Sequence, residues 1–320
     1  MSETAVWPRL LAAIGALALG AVAVVIVVVL GHRTPGPAAA SSAPEPAVAE
    51  PSGTNAGGAF PAPPPGAVVF GRRDGSDILA LAVLPVRRPV LQASVVDQQG
   101  QGVNGLLVSF RLGSDVVVGA PCGAGCYRAV APSAGAPKSV VVKVARDHAT
   151  TTWPVTMPRP WPPPDAASIV AEATRTYKSL RSLVIHDRLA SDETHAVETR
   201  WKIVAPDKLA YKIVNGPAAV VVGDRRWDKV PGGTWQQSHQ TPIEQPTPFW
   251  SSWNDARVLS QTKDHWRVSF YAPTTPGWFE LVIQKRSMRP LDMRMAATAH
   301  FMHQVFSSFN EPLRVKPPAR

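Results

Sequence analysis

The chain has 320 residues, a formal net charge of +10, 33 prolines and two cysteines. That length holds more than one domain, and the proline content points to strand, turn and linker. Two cysteines exclude a disulfide-stapled miniature fold.

Residues 1–9 form a short N-terminus, expected in the cytoplasm. The run from Leu10 to Leu30, LLAAIGALALGAVAVVIVVVL, is uncharged. At about 1.5 Å per residue it reaches roughly 30 Å, the thickness of a bilayer's hydrocarbon core. A signal-peptide core is shorter, about 7 to 15 residues, so the run predicts an uncleaved transmembrane anchor; Ala38 to Ala40 offer an alternative cleavage site. The expected location is the plasma membrane, single-pass, with all later domains outside the cytoplasm. Residues 31–66 are rich in Pro, Ala, Ser and Gly and predict a disordered spacer.

Residues 67–157 read as a β-sandwich. Short apolar runs at 91–97, 105–111, 127–130 and 139–144 recur at close spacing, with Gly, Asp, Asn and Pro between them, the pattern of a turn-rich, two-sheet fold. Residues 158–164 end in TrpProProPro and form a stiff connector. Asp165 then stands at an N-cap position. Ile169, Ala173, Tyr177, Leu180 and Leu183 follow at helical spacing and predict one amphipathic helix.

From Arg200 to Asn310 the period changes to two, most clearly at 278–310. Phe279, Leu281 and Ile283 are followed by Leu291, Met293 and Met295, then by Phe301, His303 and Val305. Arg289-Pro290 and the small residues at 296–299 separate the runs, so three successive antiparallel strands are expected. The fold class is mainly β with an α+β C-terminal domain at 165–315 and a tail at 316–320.

The helix from about Asp165, the hairpin at 199–213, the strand pair around Val220 and Trp227, and the closing strands at 265–309 together resemble the outer-membrane lipoprotein carrier family, the LolA/LolB-like proteins. The resemblance covers about half the chain and rests on element order and strand patterning. It implies a curved antiparallel half-barrel wrapped on a helix, cupping a hydrophobic ligand or lipid. Within 67–157, DQQGQGVNG, a strand and then CysTyrArgAla are similar to small immunoglobulin-like domains of the YtkA type. Such domains occur beside CopD-type copper-resistance membrane proteins, which implies an integral-membrane partner.

Seven tryptophans fall in the last domain, at 201, 227, 235, 250, 253, 266 and 278. They suit either core packing or the wall of an apolar cavity. In the second account the ligand contacts are Trp201, Tyr211, Trp227, Phe249, Trp250, Trp253 and Trp266, with Met293 and Met295 as adaptable thioethers; residues 246–255 would lid the cavity. Cys122 and Cys126 fit a small-loop disulfide outside the cytoplasm, contributing roughly 2 kcal/mol. As free thiolates they would instead suit copper, as would His300 and Met302 on one strand face. Apart from copper, no cofactor is expected.

Neither a Gly-x-Ser-x-Gly elbow, a phosphate-binding glycine loop nor a His-Glu-x-x-His helix is present, so no catalytic residue is assigned and no enzyme is expected. Asp187, Asp192 and Glu193 are expected in solvent. The basic excess is spread without a dense run, as for a solvated surface or for anionic head groups or wall polymers; nucleic acid is not expected as a partner outside a membrane. Two functions follow. One is a membrane-anchored carrier or envelope sensor for a hydrophobic ligand. The other is a copper-handling accessory protein.

Overall fold

The structure, a computed structural model, describes residues 61–146 and 149–319. The anchor expected at 10–30 and most of the spacer lie outside these residues. Among the described residues no helix is long and apolar enough to cross a membrane.

The segment after the spacer folds as two antiparallel sheets. One holds β1 (Val68–Asp74), β2 (Asp77–Leu84), β3 (Val90–Val96), β6 (Ala120–Gly123) and β7 (Cys126–Val130) in the order β1-β2-β3-β7-β6. The other holds β4 (Leu107–Leu112), β5 (Asp115–Val118), β8 (Ser139–Arg146) and β9 (Ala149–Thr156) in the order β5-β4-β8-β9. Leu81, Leu91, Val95, Phe110 and Val142 belong to the core the sheets share. Cys122 and Cys126 form a disulfide at the β6–β7 turn, with Cα atoms 5.0 Å apart.

The strand β2, DILALAVL, is buried on both faces. Leu79, Leu81 and Val83 enter the sandwich core, while Ile78, Ala80 and Ala82 enter a second core behind it. A strand covered on both sides has no polar face, so its sequence shows no alternation. Neither β1 nor β2 is among the four runs expected from the sequence.

Helix α1 spans Ala167–Lys178 and buries Val170, Ala173 and Tyr177. Its cap is Ala166, not Asp165, although Asp165 Oδ1 accepts the Ala167 amide at 2.9 Å and so serves an orphan donor of the first turn. The helix is shorter than its apolar spacing predicts. Ser179 ends it, and Leu183 lies on β10 (Ser182–Ala190). The β-branched stretch there pairs on both sides, and that pairing overrides the helical period.

Ten more strands complete an eleven-stranded antiparallel sheet. They are β11 (Ala196–Val204), β12 (Lys208–Ile213), β13 (Ala218–Val222), β14 (Arg225–Lys229), β15 (Gln236–His239), β16 (Asn254–Gln261), β17 (His265–Ala272), β18 (Gly277–Gln284), β19 (Pro290–Ala297) and β20 (His300–Ser307). The order is β15-β14-β13-β12-β11-β10-β20-β19-β18-β17-β16, so the first and last strands are neighbours at the centre and the edges β15 and β16 are consecutive in the chain.

This order requires the sheet to curl. Laid flat, ten inter-strand gaps of about 4.8 Å would hold the edges roughly 48 Å apart, the full extension of about 14 residues. Residues 240–253 join those edges and also turn inward: the Gln245 amide donates to the Pro206 carbonyl at 2.7 Å, and Trp250 packs on α1. The helix lies between this strap and the sheet, with the Tyr177 ring 5.6 Å from Trp250 and 5.7 Å from Phe306 of β20. Helix and strap therefore mark the inner face.

The sandwich covers the outer face. Val69, Ile78, Ala80 and Val96 pack against Ala190, Tyr271, Trp278, Ala296 and Phe301. Approach is closest at Gly71, where a Cβ would stand 2.5 Å from Trp278 Cβ. Gly71→Ala forces β1 off the sheet and is expected to cost about 1 to 3 kcal/mol, read as a lower thermal midpoint; an unchanged midpoint would show slack between the two parts.

Candidate functional site

Residues opposed in register share a face of the sheet, so the strand pairing resolves the inner face into rows. One row runs Phe270, Phe279, Met295, Met302, Leu189, Val197 across six strands and is wholly apolar. The next runs Val268, Leu281, Met293, Gln304, Asp187, Thr199, Ile213, apolar as far as Met293 and polar in its middle. A third contains Phe306, Ile185, Trp201, Tyr211 and Ala219. Tyr177 of the helix rests on the third row, at Phe306. In the first row Met295, Leu189 and Val197 stay only half-buried.

Asp187 breaks the apolar pattern. It is not in solvent as expected but 8% exposed at the middle of β10. Burial pushes its carboxyl up to about 7, against the opposing pull of the Gln304 amide and the Trp201 indole N–H. Asp187 Oδ1 and Trp201 Nε1 are each buried without a hydrogen bond of good geometry. The signal was in the alternation: Leu183, Ile185, Asp187 and Leu189 share one phase of β10.

Arg226, unforeseen as well, is 1% exposed on the same face. Its Nε and Nη2 donate to Asp228 at 2.7 and 2.6 Å, Nη2 also to the Tyr211 hydroxyl and Nη1 to Gln240 Oε1, each at 3.3 Å. Burial pushes the Tyr211 phenol up to about 12. The inner face is thus divided, greasy on β17–β19 and studded with buried polar groups from β20 across β10–β14.

The expected ligand contacts fall in different places. Trp201 and Tyr211 sit together in the third row, ring centroids 4.8 Å apart. Met293 and Met295 occupy neighbouring rows, Met293 fully buried. Trp266 shares the face on β17, with Lys285 Nζ 5.2 Å above its ring. Trp227 stands on the opposite face, paired with Val220 and stacked under Arg225. Phe249 and Trp253 are half-buried in the strap. Trp250 is 1% exposed, and its indole N–H donates to Thr174 Oγ1 at 2.8 Å, so it pins the strap to the helix.

The copper reading through thiolates finds no support here, since Cys122 and Cys126 are joined in the expected disulfide. Of the other expected ligands, His300 is buried with Nδ1 2.8 Å from the Thr298 carbonyl, and Met302 lies in the apolar row opposite Met295. No group of three His, Cys, Asp or Glu side chains converges among the described residues.

No protein-family model matches the chain, and no curated protein matches it. Similar solved structures include the Mycobacterium tuberculosis lipoprotein LppX at 12% identity, covering 47% of this chain and 97% of that one with a TM-score of 0.35. LprF from Mycobacterium bovis is 11% identical over 51% of this chain and 100% of its own, TM-score 0.36. A LolA superfamily protein from Nitrosomonas europaea is 11% identical over 48% of this chain and 96% of its own, TM-score 0.24. Likenesses of this strength assign no family, and the architecture rests on the strand order itself.

Proposed function

We propose that the chain is a membrane-anchored, extracytoplasmic protein that holds a lipid or other hydrophobic molecule on the inner face of its curved sheet, as carrier or envelope sensor, without catalysis. The observation that carries the reading is the six-strand apolar row in which Met295, Leu189 and Val197 stay half-exposed. Apolar side chains facing the inside of a curl and left partly uncovered are stabilised by an apolar guest, at about 25 cal/mol per Å² covered. The disulfide fits an oxidising compartment. The uncharged run at 10–30 supplies the anchor. The sandwich, immunoglobulin-like in this reading, backs the sheet and meets a membrane partner.

The test is displacement of a fluorescent acyl probe from the full chain, with solvent extraction of the purified protein to identify what it carries. Met295→Lys puts a charge into the row at a half-exposed position, where the fold tolerates it, and is expected to weaken probe binding at least tenfold. Equal binding by the variant, or no binding by either protein, would sink the reading.

A further inference from the structure

A second site lies on the other side of the sheet. Between the sandwich and the outer face is a groove of about 950 Å³. Its floor is set by register: two residues along from the row the sandwich covers come Arg188, His303, Arg294 and Glu280, directly opposed on four successive strands. Its walls are β1, β9 and residues 157–159. Six arginines line it, at 72, 73, 159, 188, 267 and 294, against two carboxylates, Glu193 and Glu280, an excess of four positive charges.

Part of that charge is already engaged. Arg267 grips Glu280 through two hydrogen bonds of 2.7 and 2.8 Å. Arg73 lies over Phe301 and donates to the Asp192 carbonyl, and Arg72 donates to the Arg73 carbonyl beneath Trp153. Two groups on the floor are left. The Arg188 side chain makes no hydrogen bond or ion pair among the described residues. Arg294 has its nearest carboxylate, Asp292, at 3.9 Å, and Asp292 Oδ2 already stands 2.6 Å from His303 Nε2.

We propose that this groove binds a phosphate-bearing head group, with Arg188 and Arg294 as its two ligands. They flank His303 on the strands either side of it, so their Cα atoms stand roughly 10 Å apart and both side chains reach a point above the ring. Acidic neighbours are near, Glu198 opposite Arg188, Glu280 opposite Arg294 and Asp292 3.9 Å from Arg294. Glu280 is gripped by Arg267 and Asp292 is shared with His303, so two guanidinium groups brought together there are only partly compensated and repel each other. A phosphate relieves that repulsion and accepts a forked pair of hydrogen bonds from each, a geometry that guanidinium groups match. The adjoining Trp153 gives the head group's carbon skeleton an apolar wall.

The full chain is titrated by calorimetry with inorganic phosphate and with glycerophosphoglycerol, a lipid head group without its acyl chains. One-to-one binding is expected, weakened at least tenfold by Arg188→Gln or by Arg294→Gln. Arg111→Gln, an exposed arginine on β4 of the sandwich, is expected to change it less than twofold. Equal affinity for both probes supports the site as a receptor for phosphate itself, and preference for glycerophosphoglycerol supports it as a lipid head-group site. The proposal is overturned if neither probe binds, or if Arg111→Gln weakens binding as much as Arg188→Gln. Both floor arginines are exposed, so an unchanged thermal midpoint will show that their variants fold. The inner-face ligand touches none of these residues, so either reading can fail alone.

Discussion

Trp250→Ala is expected to lower the unfolding free energy by about 3 to 5 kcal/mol, the usual cost of emptying a buried indole site. The side chain is fully enclosed, its N–H donates to Thr174 and its ring meets the edge of Tyr177. What disappears is a large side chain that fastens the strap to the helix, so strap, helix and sheet edges loosen together. Trp250→Phe keeps most of the volume and loses the hydrogen bond, leaving the Thr174 hydroxyl only its own donation to the Val170 carbonyl; about 1 kcal/mol is expected. Urea denaturation of the three proteins gives the order directly. A cost for the alanine variant no larger than for phenylalanine would mean that the strap closes without its anchor.

Asp187→Asn is expected to stabilise the protein, and only above a certain pH. The carboxyl titrates near 7 in the fold against 3.8 for the free group. Folding therefore takes up a proton between those values, and on this group's account stability falls as pH rises from about 4 to about 7 and stays at the lower level beyond. Three pKa units correspond to on the order of 4 kcal/mol. Asparagine carries no charge to desolvate, so the variant should match the parent at pH 4 and exceed it by roughly that amount at pH 8. Denaturation at both values measures it; an equal difference at the two would show that packing, not ionisation, separates the proteins. A residue kept at such a cost on the face proposed to hold a ligand is also where a polar head of that ligand would find an acceptor.

Much of the curved sheet was legible because one phase of each strand is apolar and the other wet. The three closing strands lie where their alternation places them, at 277–284, 290–297 and 300–307. The third strand takes the opposite phase to the one its alternation suggests. Phe301, His303 and Val305 look like its apolar side, yet Met302, Gln304 and Phe306 face inward and Val305 is 42% exposed. Phe301 is large and apolar because the sandwich sits on it from outside. Where both faces of a strand are covered, alternation no longer says which is which, and the two-residue turn pairing Ala297 with His300 sets the phase instead. The same double covering hid β2. Arg188 and Arg294 could not be brought together by reading along the chain, since only the pairing of β10 with β20 makes them neighbours.

That pairing also fixes when the protein can fold. Val184 is partnered by Ser307, a contact across 123 positions, and the central seam of the sheet cannot form until residue 307 has been synthesised and delivered to the same compartment. Each arm can assemble earlier as local hairpins, but each then carries an unpaired inner edge at the future seam. A chain with this order passes through a stage with two open half-sheets, the stage at which aggregation competes and at which a holding chaperone would matter most.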